Sequence, residues 1–297
     1  MQTPMIDTIV HTFRQLSPER HPLLARLTRD DVYDRGRWMA PGGLLLAHQM
    51  AERLALAPGS TVIDLGCGLG QSSVFLATAY GASVVSLDLW VSAEDRRHAA
   101  AAAGVGGRIT PLQGDIRRGL PRECPPVDAI FCLQAFHTFG THRGLLQYLA
   151  TLVRPGGRLC VAQGCFSEEP GEMRPPFTNT DGWDVRYDTY HSPAWWRAHV
   201  EASGVFDVEA CAELEDGDVM WEDDVLYRGQ RAGWSADYLS RAGWLIDHIR
   251  HGQSHRPRLT HLLLTAVRRT SGAAASDTRD IQECSHDRDA HSPALHA

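Results

Sequence analysis

The chain has 297 residues, 43% of them hydrophobic and 22% charged, the scale of one large α/β core with a cap and not of a disordered, collagen-like or two-enzyme chain. Its formal net charge of -7 offers no broad cationic face to phosphate backbones or anionic lipid, so a small-molecule substrate is the expected partner, with no nucleic acid and no membrane. All 29 basic residues are Arg, which excludes Schiff-base chemistry and a Walker-type ATPase, since both need a lysine amine.

The seven cysteines are scattered, with Cys160 and Cys165 the nearest pair, so neither a disulfide framework nor a zinc knuckle is expected, and no metal. Met1-Gln2-Thr3-Pro4 begins no basic segment followed by an apolar run, and a cytoplasmic location is expected.

In chain order, residues 1–57 read as an N-terminal helical cap. Residues 8–16 are amphipathic, Ser17-Pro18-Glu19-Arg20 resembles a capped start, and Pro41-Gly42-Gly43 hinges into a last helix over 44–56. From 58 to 270 short β-rich runs alternate with helices. Strands are expected at 61–65, 83–89, 108–113, 127–133, 158–163, 206–214 and 260–268. Helices are punctuated by Gly81, by Ser92 and Gly104, by Thr141 and Pro155, and by Ser192-Pro193 and Gly204. The expected fold is α/β, a Rossmann-like seven-stranded, mostly parallel sheet with helices on both faces. Two irregular segments, 166–191 and 215–257, read as lids, the second with a helix around 237–251. Residues 271–297 read as a disordered tail. His248, His251 and His255 fit a solvated helix face better than a metal site. The acidic run 209–224 is expected to face solvent, or failing that to attract a cationic acceptor.

The chemistry gathers at Val62-Ile63-Asp64-Leu65-Gly66-Cys67-Gly68-Leu69-Gly70, a strand entering a glycine turn and then a helix, where backbone amides can approach a ligand. A dinucleotide fingerprint would be G-x-G-x-x-G, but here Gln71 stands in the place of its third glycine. Asp64, two residues before the first glycine, would repel a pyrophosphate and suit a ligand bearing an amino group.

Across about residues 59–165 the chain resembles the class I S-adenosylmethionine (SAM)-dependent methyltransferase family. The resemblance implies that Asp64 sits near the methionine portion of the cofactor, with the Gly66-Cys67-Gly68 turn, Gln71 and Ser72 beneath it. It implies that Asp88 binds the ribose hydroxyls, that Leu89 and Trp90 flank the adenine, and that Asp115, with Ile116, accepts from the adenine amine. Arg154-Pro155-Gly156-Gly157 matches a further family turn, and Gln134 follows the fourth strand into the site. Met39-Ala40-Pro41-Gly42-Gly43-Leu44 and His191-Ser192-Pro193-Ala194-Trp195-Trp196-Arg197 look like a small-molecule subgroup related to the cyclopropane-fatty-acid-synthase-like enzymes. The implied products are S-adenosylhomocysteine and a methylated O, N or C atom of a small metabolite. The sequence leaves the oligomeric state open, a homodimer among the assemblies it allows.

Methyl transfer is an in-line displacement, so the protein aligns a nucleophile, excludes water and supplies a base. His137, just after the fourth strand, suits the base, or else a hydrogen bond in the pocket wall. Tyr187 and Tyr190 suit a pocket role by cation-π attraction, and His191 a weaker catalytic one, because a helix N-terminus disfavours its charged form. Tyr33 and Arg37 could close over the cofactor carboxylate, or simply end a surface helix. Two other functions share these residues: a SAM-consuming cyclase or lyase that releases methylthioadenosine, as azetidine-carboxylate synthases do, and a catalytically silent SAM-binding protein.

Overall fold

Val62, Ile63 and Leu65 expose at most 1% of their surface, and a strand so covered on both faces belongs inside a parallel sheet with helices above and below. In the computed structural model, which describes residues 41–169, 189–215, 217–231, 233 and 258–270, seven strands form one sheet in the order β3-β2-β1-β4-β5-β7-β6. They are β1 (Thr61–Leu65), β2 (Ser83–Asp88), β3 (Ile109–Gln113), β4 (Val127–Leu133), β5 (Val153–Phe166), β6 (Phe206–Glu213) and β7 (Leu259–Arg268). The first five run parallel, and β7 lies antiparallel between β5 and β6.

One face is covered by α1 (Gly43–Leu54), α2 (Gln71–Ala79), α3 (Ala93–Ala102) and α6 (Gly217–Arg231), the other by α4 (Arg143–Leu152) and α5 (Pro193–Glu201). Leu46, Met50, Leu76 and Phe131 centre the first core, and Ile130, Leu149, Trp196 and Phe206 the second. The chain steps outward from β1 to β3, then returns to β4 on the other side of β1. This reversal opens a crevice at the carboxyl ends of β1 and β4, where open α/β sheets bind ligands.

Several boundaries differ from expectation. α4 is capped by His142, whose Nδ1 accepts from the Gly144 amide at 3.1 Å, and not by Thr141. β2 stops at Asp88 because Leu89 turns outward, 41% exposed. β5 starts at Val153, earlier than expected, and takes in the Pro155-Gly156-Gly157 turn. The segment 215–257 is not irregular throughout, since α6 occupies much of its first half. Nor does the acidic run all face solvent: Asp223 and Asp224 are buried at 1% and 0% exposure, and Asp224 pairs with Arg228 at 2.8 Å. Packing of Met220, Trp221 and Tyr227 against the sheet draws these acids inward with the helix. The cap helices before residue 41, the lid residues 170–188, the helix around 237–251 with its three histidines, and the tail lie outside the described residues. Among the described residues no helix is long and apolar enough to cross a membrane.

Candidate cofactor and active site

The crevice holds a cavity of about 280 Å³, lined by the glycine turn, the ends of β2, β3 and β4, and the segment after β4. The turn is fixed by its own backbone. Gly66 and Cys67 donate amides to Leu87 O at 2.8 and 3.2 Å, and Gly70 N closes on Cys67 O at 2.9 Å. Gly66 has φ 71°, and a Cβ there would stand 2.3 Å from the Ala135 Cβ. Only glycine lets the two cavity walls come this close.

Asp88 is the best-defined acceptor of the site. Its Oδ2 accepts from Gly68 N at 2.8 Å, and its Oδ1 from Trp90 N and Val91 N at 2.8 and 2.9 Å. A carboxylate has about four acceptor positions. Three are filled here, which leaves capacity on Oδ2 for a ligand hydroxyl. Beside it Leu89 and Trp90 line the cavity while 41% and 70% exposed. Exposed apolar side chains at a cavity rim are ready to cover a planar ligand.

Across the cavity Asp115 takes a two-pronged contact from Arg117: Nε to Oδ1 at 2.9 Å and Nη2 to Oδ2 at 2.8 Å. The Arg117 hydrogen bond is the main influence holding the Asp115 carboxyl below the usual carboxylate range. Ile116 lies beneath, 2% exposed. Gln71 and Ser72 line the floor.

After β4, Gln134 holds φ 55°, an uncommon conformation for a non-glycine residue. Three contacts hold it there: its N donates to Ala162 O at 2.6 Å, its Oε1 accepts from Gly164 N at 3.1 Å, and its Nε2 reaches Pro41 O at 3.5 Å. Strain of this kind persists where surrounding contacts over-determine it, often at working sites. His137 also lines the cavity, its ring edge-on to Tyr190 with centroids 5.0 Å apart. Tyr190 is itself 5% exposed and packs on Phe166.

Three expected site residues do not line the cavity: Tyr190, which meets it through the His137 ring, Asp64 and His191. Asp64 has no exposed surface and does not line the cavity; its Oδ2 takes the Ser72 and Ser73 hydroxyls at 2.6 Å each. It holds the start of α2 from behind, and burial raises its pKa to about 6 against the pull of those two hydroxyls. Its Oδ1 is buried with no hydrogen-bond partner among the described residues. His191 points its Nδ1 to Glu169 at 2.6 Å and stacks on Trp195 with centroids 3.6 Å apart. That places it in the α5 cap and, among the described residues, outside the cavity lining. Tyr33 and Tyr187 lie outside the described residues. Sequence reasoning missed Arg117, Thr138 and Phe139, which also line the cavity. Their signals were adjacency: Arg117 stands two residues after Asp115, and Thr138 and Phe139 directly follow His137.

The donor set fits SAM. The three-quarters-filled carboxylate suits a ribose hydroxyl, the Leu89 and Trp90 faces an adenine, Asp115 an exocyclic amine, and the glycine turn a chain passing close over backbone.

The sequence profile of a methyltransferase-domain family matches residues 62–157. This chain is similar to "Methyltransferase GfsG" of Streptomyces halstedii, at 27% identity over 170 residues, 53% of this chain and 59% of that protein. It is similar to a trans-aconitate 2-methyltransferase of Azoarcus sp. strain BH72, at 34% identity over 125 residues, 42% of this chain and 47% of that protein. The chain thus spans about half the length of these curated relatives. Its fold matches that of geranyl diphosphate C-methyltransferase from Streptomyces coelicolor A3(2), solved with Mg2+, geranyl diphosphate and S-adenosyl-L-homocysteine. The TM-score is 0.57 at 18% identity, covering 75% of this chain and 78% of that one.

Proposed function

We propose, from the premise that this chain carries a class I SAM-dependent methyltransferase domain, that it transfers the methyl group of SAM to an O, N or C atom of a small molecule. The observation that carries the reading is Asp88, a buried carboxylate held by three amides with one acceptor position left beside two exposed apolar faces. Bound SAM supplies an electrophilic methyl group on a sulfonium, and the protein's part is alignment and proton removal.

In this reading Asp88 orients the ribose, Leu89 and Trp90 cover the adenine, and Asp115 and Ile116 recognise its edge. The Gly66-Cys67-Gly68 turn, Gln71 and Ser72 underlie the remainder, and Gln134 fixes the far wall. Asp64 acts from behind the turn by holding Ser72 and Ser73. His137 takes the acceptor's proton, and Tyr190 sets the angle of its ring. Relatives named for trans-aconitate and geranyl diphosphate support a small-molecule acceptor. The subgroup related to cyclopropane-fatty-acid-synthase-like enzymes remains part of this proposal.

The test is turnover of SAM with and without a panel of small acceptors. Acceptor-dependent formation of S-adenosylhomocysteine is expected, and methylthioadenosine released from SAM alone would sink the reading. Once an acceptor is in hand, His137→Asn should lower kcat by about 100-fold or more while leaving SAM binding intact. A variant with unchanged kcat and pH profile would remove His137 from proton transfer.

A further inference from the structure

Arg96 lies on the inward face of α3 and is 1% exposed. A buried guanidinium normally has a carboxylate partner, because an uncompensated charge is costly to desolvate. Among the described residues none of its hydrogen bonds reaches a carboxylate. Its Nη1 donates to Ser86 O at 2.6 Å, to Ser86 Oγ at 3.3 Å and to Cys67 Sγ at 3.2 Å. Its Nη2 donates to Leu112 O at 2.7 Å and to Val91 O at 3.3 Å, and its Nε to Ser92 O at 3.3 Å.

Apart from Ser92, which caps the helix that carries Arg96, each of these partners adjoins a group that faces the cavity. Ser86 stands two residues before Asp88, and Leu112 two before Gly114, where β3 delivers Asp115. Val91 donates one of the amides that hold Asp88, and Cys67 precedes Gly68, which donates another. Four separate segments therefore meet on one planar fork. A lysine could not reproduce it, because an ammonium is a single nitrogen with no fixed fork.

We infer that Arg96 is a positioning residue for the cofactor site, locking the glycine turn, the ends of β2 and β3 and the Trp90 segment into one frame around the nucleoside end of the cavity. The inference rests on the cofactor reading of that cavity. Arg96 does not line the cavity; it acts through Asp88, Cys67 and the loop backbones.

The experiment compares wild type, Arg96→Met and Arg96→Lys by hydrogen exchange and by calorimetric titration with S-adenosylhomocysteine. In Arg96→Met, amides of residues 66–72 and 88–92 should exchange faster while those of β4 and β5 keep wild-type protection, and affinity should fall by about tenfold or more. Arg96→Lys keeps the charge without the fork, so it should fall between the other two on both measures. Uniformly faster exchange across the sheet, or loop exchange and affinity equal to wild type, would overturn the inference. If Arg96→Met does not fold, the same comparison is decided by Arg96→Lys, where wild-type values on both measures have the same overturning force. Should the wild-type chain not bind S-adenosylhomocysteine, the cofactor reading fails, and local exchange still decides whether Arg96 frames these loops.

Discussion

Asp64 is the residue whose chemistry the fold alters most. Its pKa moves from 3.8 to about 6, first through desolvation, which the Ser72 and Ser73 hydroxyls and the Arg96 charge only partly offset. A carboxyl raised in this way keeps a proton in the native state that the unfolded chain has already released. Its contribution to stability is therefore fully present below the unfolded pKa and is lost as pH rises through the folded one. Asp64→Asn removes that dependence, so the stability of the variant relative to wild type should climb between about pH 4 and pH 6, by about 3 kcal/mol, and level off above. Urea unfolding of both proteins across that range checks it, and a difference that stays flat with pH would show that Asp64 is ionised throughout. Asp64 was legible in the sequence as a special acid but not as a buried one. Its direction depends on two serines in the first turn of α2, and one-dimensional spacing does not say which way a strand-end side chain turns. Asp88 was legible as a strand-end acid beside a glycine turn, and the structure puts it at the end of β2 in the cavity lining. Arg96 was not, since an arginine on a helix is ordinarily a solvated one.

At the scale of elements, the strands were legible because each is a short apolar run cut off by glycine, proline or a capping residue, and six of the seven moved by at most one residue at either end. The exception, β5, begins five residues earlier than expected, through a turn that reads locally as a breaker but pairs Val153 with Val127. α6 went unread because Asp218, Glu222, Asp223 and Asp224 dilute its apolar stripe, and only tertiary packing selects which face is inside. The contact of β5 with the start of α5 yields a test of the catalytic end. A Cβ on Gly164 would stand 2.5 Å from the Tyr190 ring, so Gly164→Ala must displace that ring and disturb its edge-on contact with His137. The overpacking should cost about 1 to 3 kcal/mol in unfolding free energy. Turnover should fall, and S-adenosylhomocysteine affinity should stay near wild type, because Tyr190 lies away from the nucleoside contacts. Chemical denaturation and calorimetry separate these effects. A variant that lost ligand affinity instead would mean that β5 also shapes the nucleoside end.

For the whole molecule, cofactor and acceptor functions differ in how far sequence reveals them. The proposed nucleoside end is built by β1 to β4 and their connections, within the residues matched by the family profile, and each of its parts has a job in the proposed binding of SAM. In the proposed function the acceptor end depends on which side chains close over Gln134 and His137, a matter of packing between distant segments that no spacing encodes. A ligand that joins four strand ends should stabilise the fold as a unit, since binding only the native state raises stability by about 2.7 kcal/mol at a hundred times Kd. In a thermal melt with S-adenosylhomocysteine, wild type should shift upward as ligand is added, following that mass-action law. Asp88→Ala removes the charge-assisted bond proposed to the ribose, worth about 1 to 3 kcal/mol, and at the same ligand concentration should lose most of the shift. The variant melts from its own lower baseline, because Gly68, Trp90 and Val91 lose their shared acceptor, so the comparison is between shifts and not between midpoints. Equal shifts in the two proteins would place the ligand away from Asp88, and with it away from the crevice between β1 and β4.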